Sequence, residues 1–187
     1  MSEIVQRIRL LEGWSRVDRV LVRHADGTEW DRTLEDHGLA AAVLPYDPVR
    51  RTCLLVSMPR PAVLAFGSGD DLLEAPSGML DDGETFEEAA RREALEEAGL
   101  QFGDLEPVVT LWTMPGLSTE RVGIFLAAYE PGARVSAGGG APDENEQIAI
   151  TEIYFADLKR MVMTGRLEDG KTLVAAQALM LRHPYLF

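Results

Sequence analysis

The segment that most constrains this chain is residues 84–99, ETFEEAARREALEEAG, which reads as a helix with acids where a helix wants cations. Thr85 and Glu88, three residues apart, form a capping box. Phe86, Ala90 and Ala94 recur at helical spacing, Ala89 and Ala98 widen the apolar face, and Gly99 provides the stop. Glu93 and Glu97 stand four apart and share one face, Glu96 lies beside them, and Glu84 sits just before the cap. Like charges at this spacing cost about 0.2–0.5 kcal/mol per pair, and the last turn, occupied by Glu96 and Glu97, carries the negative end of the helix dipole.

A local preference broken in this way points to function. A hard divalent cation removes the conflict, because it takes several oxygen ligands. Arg92 can pair with Glu96 at i+4 and orient it, and Gly78 lets a metal or phosphate approach the backbone near Ser77 closely. The same pattern also fits an exposed acidic helix paired with Arg91 and Arg92. The residues alone leave both readings open.

The formal net charge is -13. Such a surface repels nucleic acid polymers and anionic membranes. It repels a small anionic substrate as well, unless cations or local arginines screen it. A chain of 187 residues suits one domain with a small extension. The one cysteine, Cys53, lies in the apolar run CLLV and reads as a buried thiol in a reducing compartment. No stretch approaches the roughly 18 apolar residues of a membrane helix, and the N-terminus lacks the pattern of a signal peptide. A cytoplasmic protein is expected.

Residues 17–24 and a run through Thr33 and Leu34, around Asp26-Gly27, predict a β-hairpin. Strands are expected at 39–44, closed by a Pro45–Pro48 turn, and at 53–58, stopped by Pro59 and Pro61. A loop over 63–71 and a short strand at 72–75 follow. Further strands fall at 107–113, 122–129 and 148–155, and helices at about 156–164 and 171–182. Between them, residues 136–147 form a glycine-rich acidic loop. Strands first, then a helix, then strands and a helical tail imply an α+β fold or an α/β/α sandwich.

Gly78, Glu84, Arg92, Glu93, Glu96, Glu97 and Gly99 match every fixed position of G-x5-E-x7-R-E-U-x-E-E-x-G-U, in which U is apolar. Only Ala94, at the first U, is small. Seven fixed residues at about 7% usage match by chance roughly once in 10^8 windows. The segment resembles the Nudix box. The likeness extends to AAVLPYDPVRR and CLLVSMPR, to Glu74-Ala75-Pro76-Ser77-Gly78, to Met114–Glu120 and to Asp143–Glu146, all similar to the ADP-ribose pyrophosphatases of that family. AGGG at 137–140 and DGKT at 169–172 look more like its GDP-mannose hydrolases.

The resemblance implies a Nudix-fold α/β/α sandwich over 38–187, with a mixed central sheet. It also implies an N-terminal β extension over 1–37 that pairs two subunits as a homodimer. It implies magnesium, with manganese possible, held by Glu93, Glu97 and the Ser77 carbonyl, with Glu96 shared and Glu84 binding directly or through water. It gives Glu144 in the acidic loop as the base for an attacking water, with Glu146 or Glu120 as alternatives, and Arg92 and Glu96 as further catalytic residues. Substrate contacts would come from Arg60 on a phosphate, Glu120 on the ribose or ordering the site, Gly116, Trp14 stacking on the base and Arg32 of a partner subunit. Trp14 reads equally as a core or interface anchor, Arg60 as a solvated arginine, and His24, His37 and His183 as groups outside the chemistry. The implied substrate is a nucleoside diphosphate sugar, ADP-ribose first and GDP-mannose second. A non-catalytic nucleotide sensor on the same scaffold should have lost a metal carboxylate, and none is missing.

Overall fold

The computed structural model describes residues 1–67, 72–130, 132–140 and 147–187. The chain folds as two compact units, one of Met1–Leu39 with Trp112–Arg121, the other of Ala40–Leu111 with Val122–Phe187.

In the first unit, β1 (Glu3–Glu12), β2 (Arg16–Arg23) and β3 (Glu29–Asp36) form an antiparallel sheet in chain order. The expected hairpin is β2–β3. Strand β1 carries no hydrophobic alternation strong enough to announce it. It is pinned instead by charge: Asp18 of β2, 1% exposed, receives the guanidinium of Arg9 at 2.5 Å and that of Arg7. Arg9 and Arg7 together hold the Asp18 carboxyl below the usual carboxylate range. Residues 112–121 join this unit by backbone pairing, with Glu35 N–H donating to Leu117 O at 2.7 Å and Thr119 N–H to Glu35 O at 2.8 Å.

The second unit is built on a seven-stranded mixed sheet. Its main path runs β10 (Ala149–Tyr154), β5 (Thr52–Met58), β4 (Leu39–Asp47), β9 (Arg121–Ala128) and β8 (Glu106–Trp112), with β6 (Leu72–Glu74) on β5 and β7 (Ser77–Met79) on β4. Strand β4 divides the layers by its own alternation. Ala41 and Val43 point to α2 (Phe86–Ala98), where they meet Ala89, Ala90 and Ala94. Ala40, Ala42 and Leu44 point the other way, to Phe155 and Leu158 of α3 (Phe155–Thr164) and Ala175, Ala176 and Leu179 of α4 (Gly170–Arg182). The expected sandwich of helix, mixed sheet and helices is therefore observed. The alanine face of α2 sets its close approach: the Phe86 ring stands where a Cβ on Gly123 would be, 2.7 Å away.

Local differences have local causes. Strand β4 continues through Pro45 to Asp47, and the turn begins one step later, with Asp47 Oδ1 accepting from Val49 N and Arg50 N at 2.8 and 2.9 Å. Residues 61–66, where a strand-stopping Pro61 and a loop from residue 63 were expected, form a short helix, α1, because Pro61 at its first turn presets the helical φ. Cys53 is fully buried, and burial pushes its thiol up to about 12. Among the described residues no helix is long and apolar enough to cross a membrane.

The C-terminus of α4 is clamped to β8 by Glu106, which accepts from Arg182 and binds the His183 ring, both at 2.8 Å. Burial raises the Glu106 pKa, but Arg182 and His183 outweigh it and leave the carboxyl below its ordinary 4.5. A depressed carboxylate stabilises the fold above its unfolded value and loses that contribution as pH falls through the folded one. Glu106→Gln should therefore lower Tm by roughly 1–3 °C at neutral pH. The difference should shrink as pH falls through the carboxyl's lowered folded-state value, which thermal melts across pH would show.

Candidate functional site

The acids of α2 gather against the strand that precedes the helix. Thr85 caps α2 with the expected box, and its Oγ accepts from Glu88 N at 3.2 Å. The alanine face then turns Glu93 and Glu97 inward, where they are 8% and 3% exposed. Carboxylates are rarely this buried unless paired. Glu97 Oε2 accepts the Ser77 N–H at 2.9 Å. The Glu93 carboxylate occupies the notch beside Gly78, where an added Cβ would lie 2.0 Å from Oε1. Gly78 is thus required by Glu93 itself.

Arg92 organises the remaining acids. Its guanidinium reaches Glu84 at 3.0 and 2.9 Å, Glu93 at 2.7 Å, Glu96 at 3.1 Å and the Met79 carbonyl at 2.8 Å. Hydrogen bonding to Arg92 holds Glu84 below the usual carboxylate range, and Glu84 in turn raises the arginine. Arg91 takes a different course and donates to Phe102 O at 2.7 Å. The helix therefore does not carry the simple surface pairing of both arginines with its acids.

The acidic end of α2 is stabilised from outside the helix. Gly99, at φ 69°, closes the last turn with its N–H and that of Leu100 on Leu95 O and Ala94 O. The Glu96 and Glu97 carbonyls accept from Gly140 N at 3.0 Å and Gly139 N at 2.9 Å. Backbone donors from the AGGG segment thus replace the cations that the last turn would otherwise favour. Gly138, at φ 69°, passes so close that a Cβ would sit 2.6 Å from Glu97 O. The glycine run was visible in the sequence; its docking on the acidic helix was not.

Of the expected metal residues, Ser77, Glu84, Glu93, Glu96 and Glu97 are thus brought to one end of the loop–helix unit, with Arg92 among them. Among the described residues, no three acidic, histidine or cysteine side chains converge as a finished metal cage. Arg92 is the cation that stands between Glu84, Glu93 and Glu96. The donor set, hard carboxylate oxygens beside a glycine backbone, suits a divalent cation. Arg60 lies elsewhere in this unit, paired through Nε and Nη2 with Glu74 at 2.6 and 3.1 Å. Glu144 and Glu146 lie outside the described residues.

In the first unit, Trp14 and Glu120 meet through His37, a residue the sequence left outside the chemistry. The Trp14 ring, 88% exposed, contacts His37 edge-on at 5.1 Å. His37 stands between Glu35 at 3.4 Å and Glu120 at 3.7 Å, and Thr113 Oγ donates to Glu120 at 2.5 Å. Gly116 sits in an exposed turn with open space where a Cβ would stand, and Arg32 covers the Trp30 ring at 4.5 Å.

Comparison with known proteins accords with this geometry. The NUDIX domain model matches residues 36–175. GDP-mannose pyrophosphatase of Cronobacter sakazakii is 37% identical over 169 residues, covering 90% of this chain and 84% of the relative. ADP-ribose pyrophosphatase of Escherichia coli O6:H1 is 34% identical over 190 residues, covering 98% and 90%. The crystal structure of an ADP compounds hydrolase superposes with a TM-score of 0.75 at 19% identity, covering 97% of this chain and 96% of that one. The chain belongs to the Nudix family. It is a hydrolase of pyrophosphate bonds, as the relatives indicate, and hydrolases of this family generally use divalent metal ions.

Two substitutions test the geometry. Glu97→Gln keeps an acceptor for Ser77 N but removes the charge, and should cut kcat on the order of 10^3-fold with Tm nearly unchanged. Gly138→Val should displace the Glu97 backbone and cost about 100-fold in kcat. Normal turnover in either variant would break the link between the helix end and the chemistry.

Proposed function

We propose that the protein hydrolyses the diphosphate bridge of a nucleoside diphosphate sugar in a magnesium-dependent reaction, manganese serving as a substitute. ADP-ribose, giving AMP and ribose 5-phosphate, is the leading substrate. The observation that carries this reading is the burial of Glu93 and Glu97 against Ser77 and Gly78. Two carboxylates set there suit a metal-assisted attack by water. Cys53 is excluded by its burial and raised pKa.

Glu93, Glu97 and the Ser77 carbonyl would hold the metal, with Glu96 shared and Glu84 a ligand directly or through water. When bound, the metal supplies charge neutralisation at the diphosphate and activation of the water. Arg92 keeps Glu84 and Glu96 oriented, since it hydrogen-bonds both. Glu144 is the proposed base, with Glu146 and Glu120 as alternatives. Its support is the resemblance of Asp143–Glu146 to the acidic loop of the ADP-ribose enzymes. Arg60 would contact a phosphate, since a guanidinium suits charge-assisted hydrogen bonds to its oxygens.

Trp14, exposed and braced by His37, would stack on the base, with Glu120 and Gly116 toward the ribose. Arg32 would come from a second subunit. Ile4, Ile8, Leu10 and Leu11 of β1 are exposed, which supports a homodimer formed through the N-terminal sheet. The unpaired Cys53 fits work in the cytoplasm.

GDP-mannose is the second reading, favoured by the AGGG and DGKT segments and by the 37% identical relative. Product analysis with magnesium across ADP-ribose, GDP-mannose, NADH and a diadenosine polyphosphate separates these. The largest kcat/KM should fall on ADP-ribose, and a GDP-mannose preference would replace that assignment. Turnover of none would end the sugar-nucleotide reading. Trp14→Ala should raise KM by about ten-fold with kcat retained, the loss of one stacked aromatic face. An unchanged KM together with dissociated subunits in sedimentation would make Trp14 an interface residue instead.

A further inference from the structure

The DGKT segment has a place in the fold that the reaction described above does not use. Asp169 caps α4, its Oδ2 accepting from Thr172 N at 2.9 Å and from Thr172 Oγ at 2.5 Å. Thr172, fully buried, accepts the Ala75 N–H at 2.6 Å. Lys171 reaches Asp169 at 3.0 Å and also contacts the Glu74 carboxylate. Glu74, at the end of β6 and 3% exposed, receives the Nε and Nη2 edge of Arg60 on its other side. One buried carboxylate therefore joins the N-terminus of α4, the lead-in to Ser77-Gly78 and the arginine that precedes α1.

Burial raises the Glu74 pKa, but Arg60 and Lys171 outweigh it and leave the group below its ordinary range, so it is charged at neutral pH. A buried ion-pair set of this kind is poor stabilisation compared with apolar packing of the same volume. What it does supply is orientation. Two parallel N–H···O bonds fix the plane of a guanidinium, whereas one contact leaves it free to rotate. The Arg60 side chain is 34% exposed, so the fixed plane still reaches solvent.

We propose that Glu74 is a positioning residue, which with Lys171 beside it holds the Arg60 guanidinium in the single orientation that meets a phosphate oxygen of the substrate. Lys171 balances the second carboxylate oxygen, and Thr172 ties the arrangement to the backbone of Ala75, two residues before Ser77. The inference rests on the reading above that Arg60 contacts the diphosphate, and it acts through binding rather than through the bond-breaking step.

A double-mutant cycle tests it. Kinetics are measured on wild type, Arg60→Ala, Glu74→Gln and the double variant, each checked by thermal melting. Glu74→Gln should raise KM by about ten-fold, the value of one charge-assisted hydrogen bond, with kcat retained. In the Arg60→Ala background it should change nothing further, because the group it positions is gone. If Glu74→Gln does not fold, Glu74→Asp, which keeps the charge but shortens the reach, goes through the same cycle with the same expectation. An equal KM change in both backgrounds, or none in either, overturns the positioning role. If Arg60→Ala itself leaves KM unchanged, the diphosphate contact fails and the proposal fails with it.

Discussion

The site depends on a single electrostatic compromise: several carboxylates are held at the wrong end of one helix. Left alone, the last turn of α2 would repel Glu96 and Glu97, and burial would penalise Glu93 and Glu97. Two devices make the arrangement stable. Arg92 spreads its guanidinium over Glu84, Glu93 and Glu96. Backbone N–H groups of Gly139 and Gly140 cover the carbonyls of Glu96 and Glu97. The helix keeps its acids without a lysine or arginine in its last turn.

Packing and chemistry are linked through small residues. The alanines of α2 bring the helix close to β4 and β9, and that closeness leaves Gly78 as the residue that fits beside Glu93. On the opposite layer, α4 fixes the same backbone from behind through Thr172 and Ala75. The Ala75–Gly78 segment is thus held at Ala75 by Thr172 and at Ser77 by Glu97, which limits its drift.

Much of this was legible in the sequence, for identifiable reasons. The capping box, the alanine face and Gly99 are local signals, and they gave α2 its limits. The spacing of Glu93, Glu96 and Glu97 is local too, so the cluster could be named before any coordinates. Strand β1 was missed because its partner interactions are charge pairs from Arg7 and Arg9 to Asp18, set by register across a turn. α1 was missed because six residues are too few for a helical period. The docking of Gly138–Gly140 on α2, the pairing of Glu74 with Arg60 and Lys171, and the place of His37 between Glu35 and Glu120 are all long-range. No spacing rule reaches them, although AGGG and DGKT flagged two of the segments.

The central claim is that these carboxylates together form a divalent-cation site. Titration of manganese followed by electron paramagnetic resonance addresses it without turnover. The wild-type chain should take up the ion, and Glu93→Gln combined with Glu97→Gln should abolish uptake while circular dichroism shows the helices intact. Equal manganese binding by that double variant, or none by the wild type, would contradict the account.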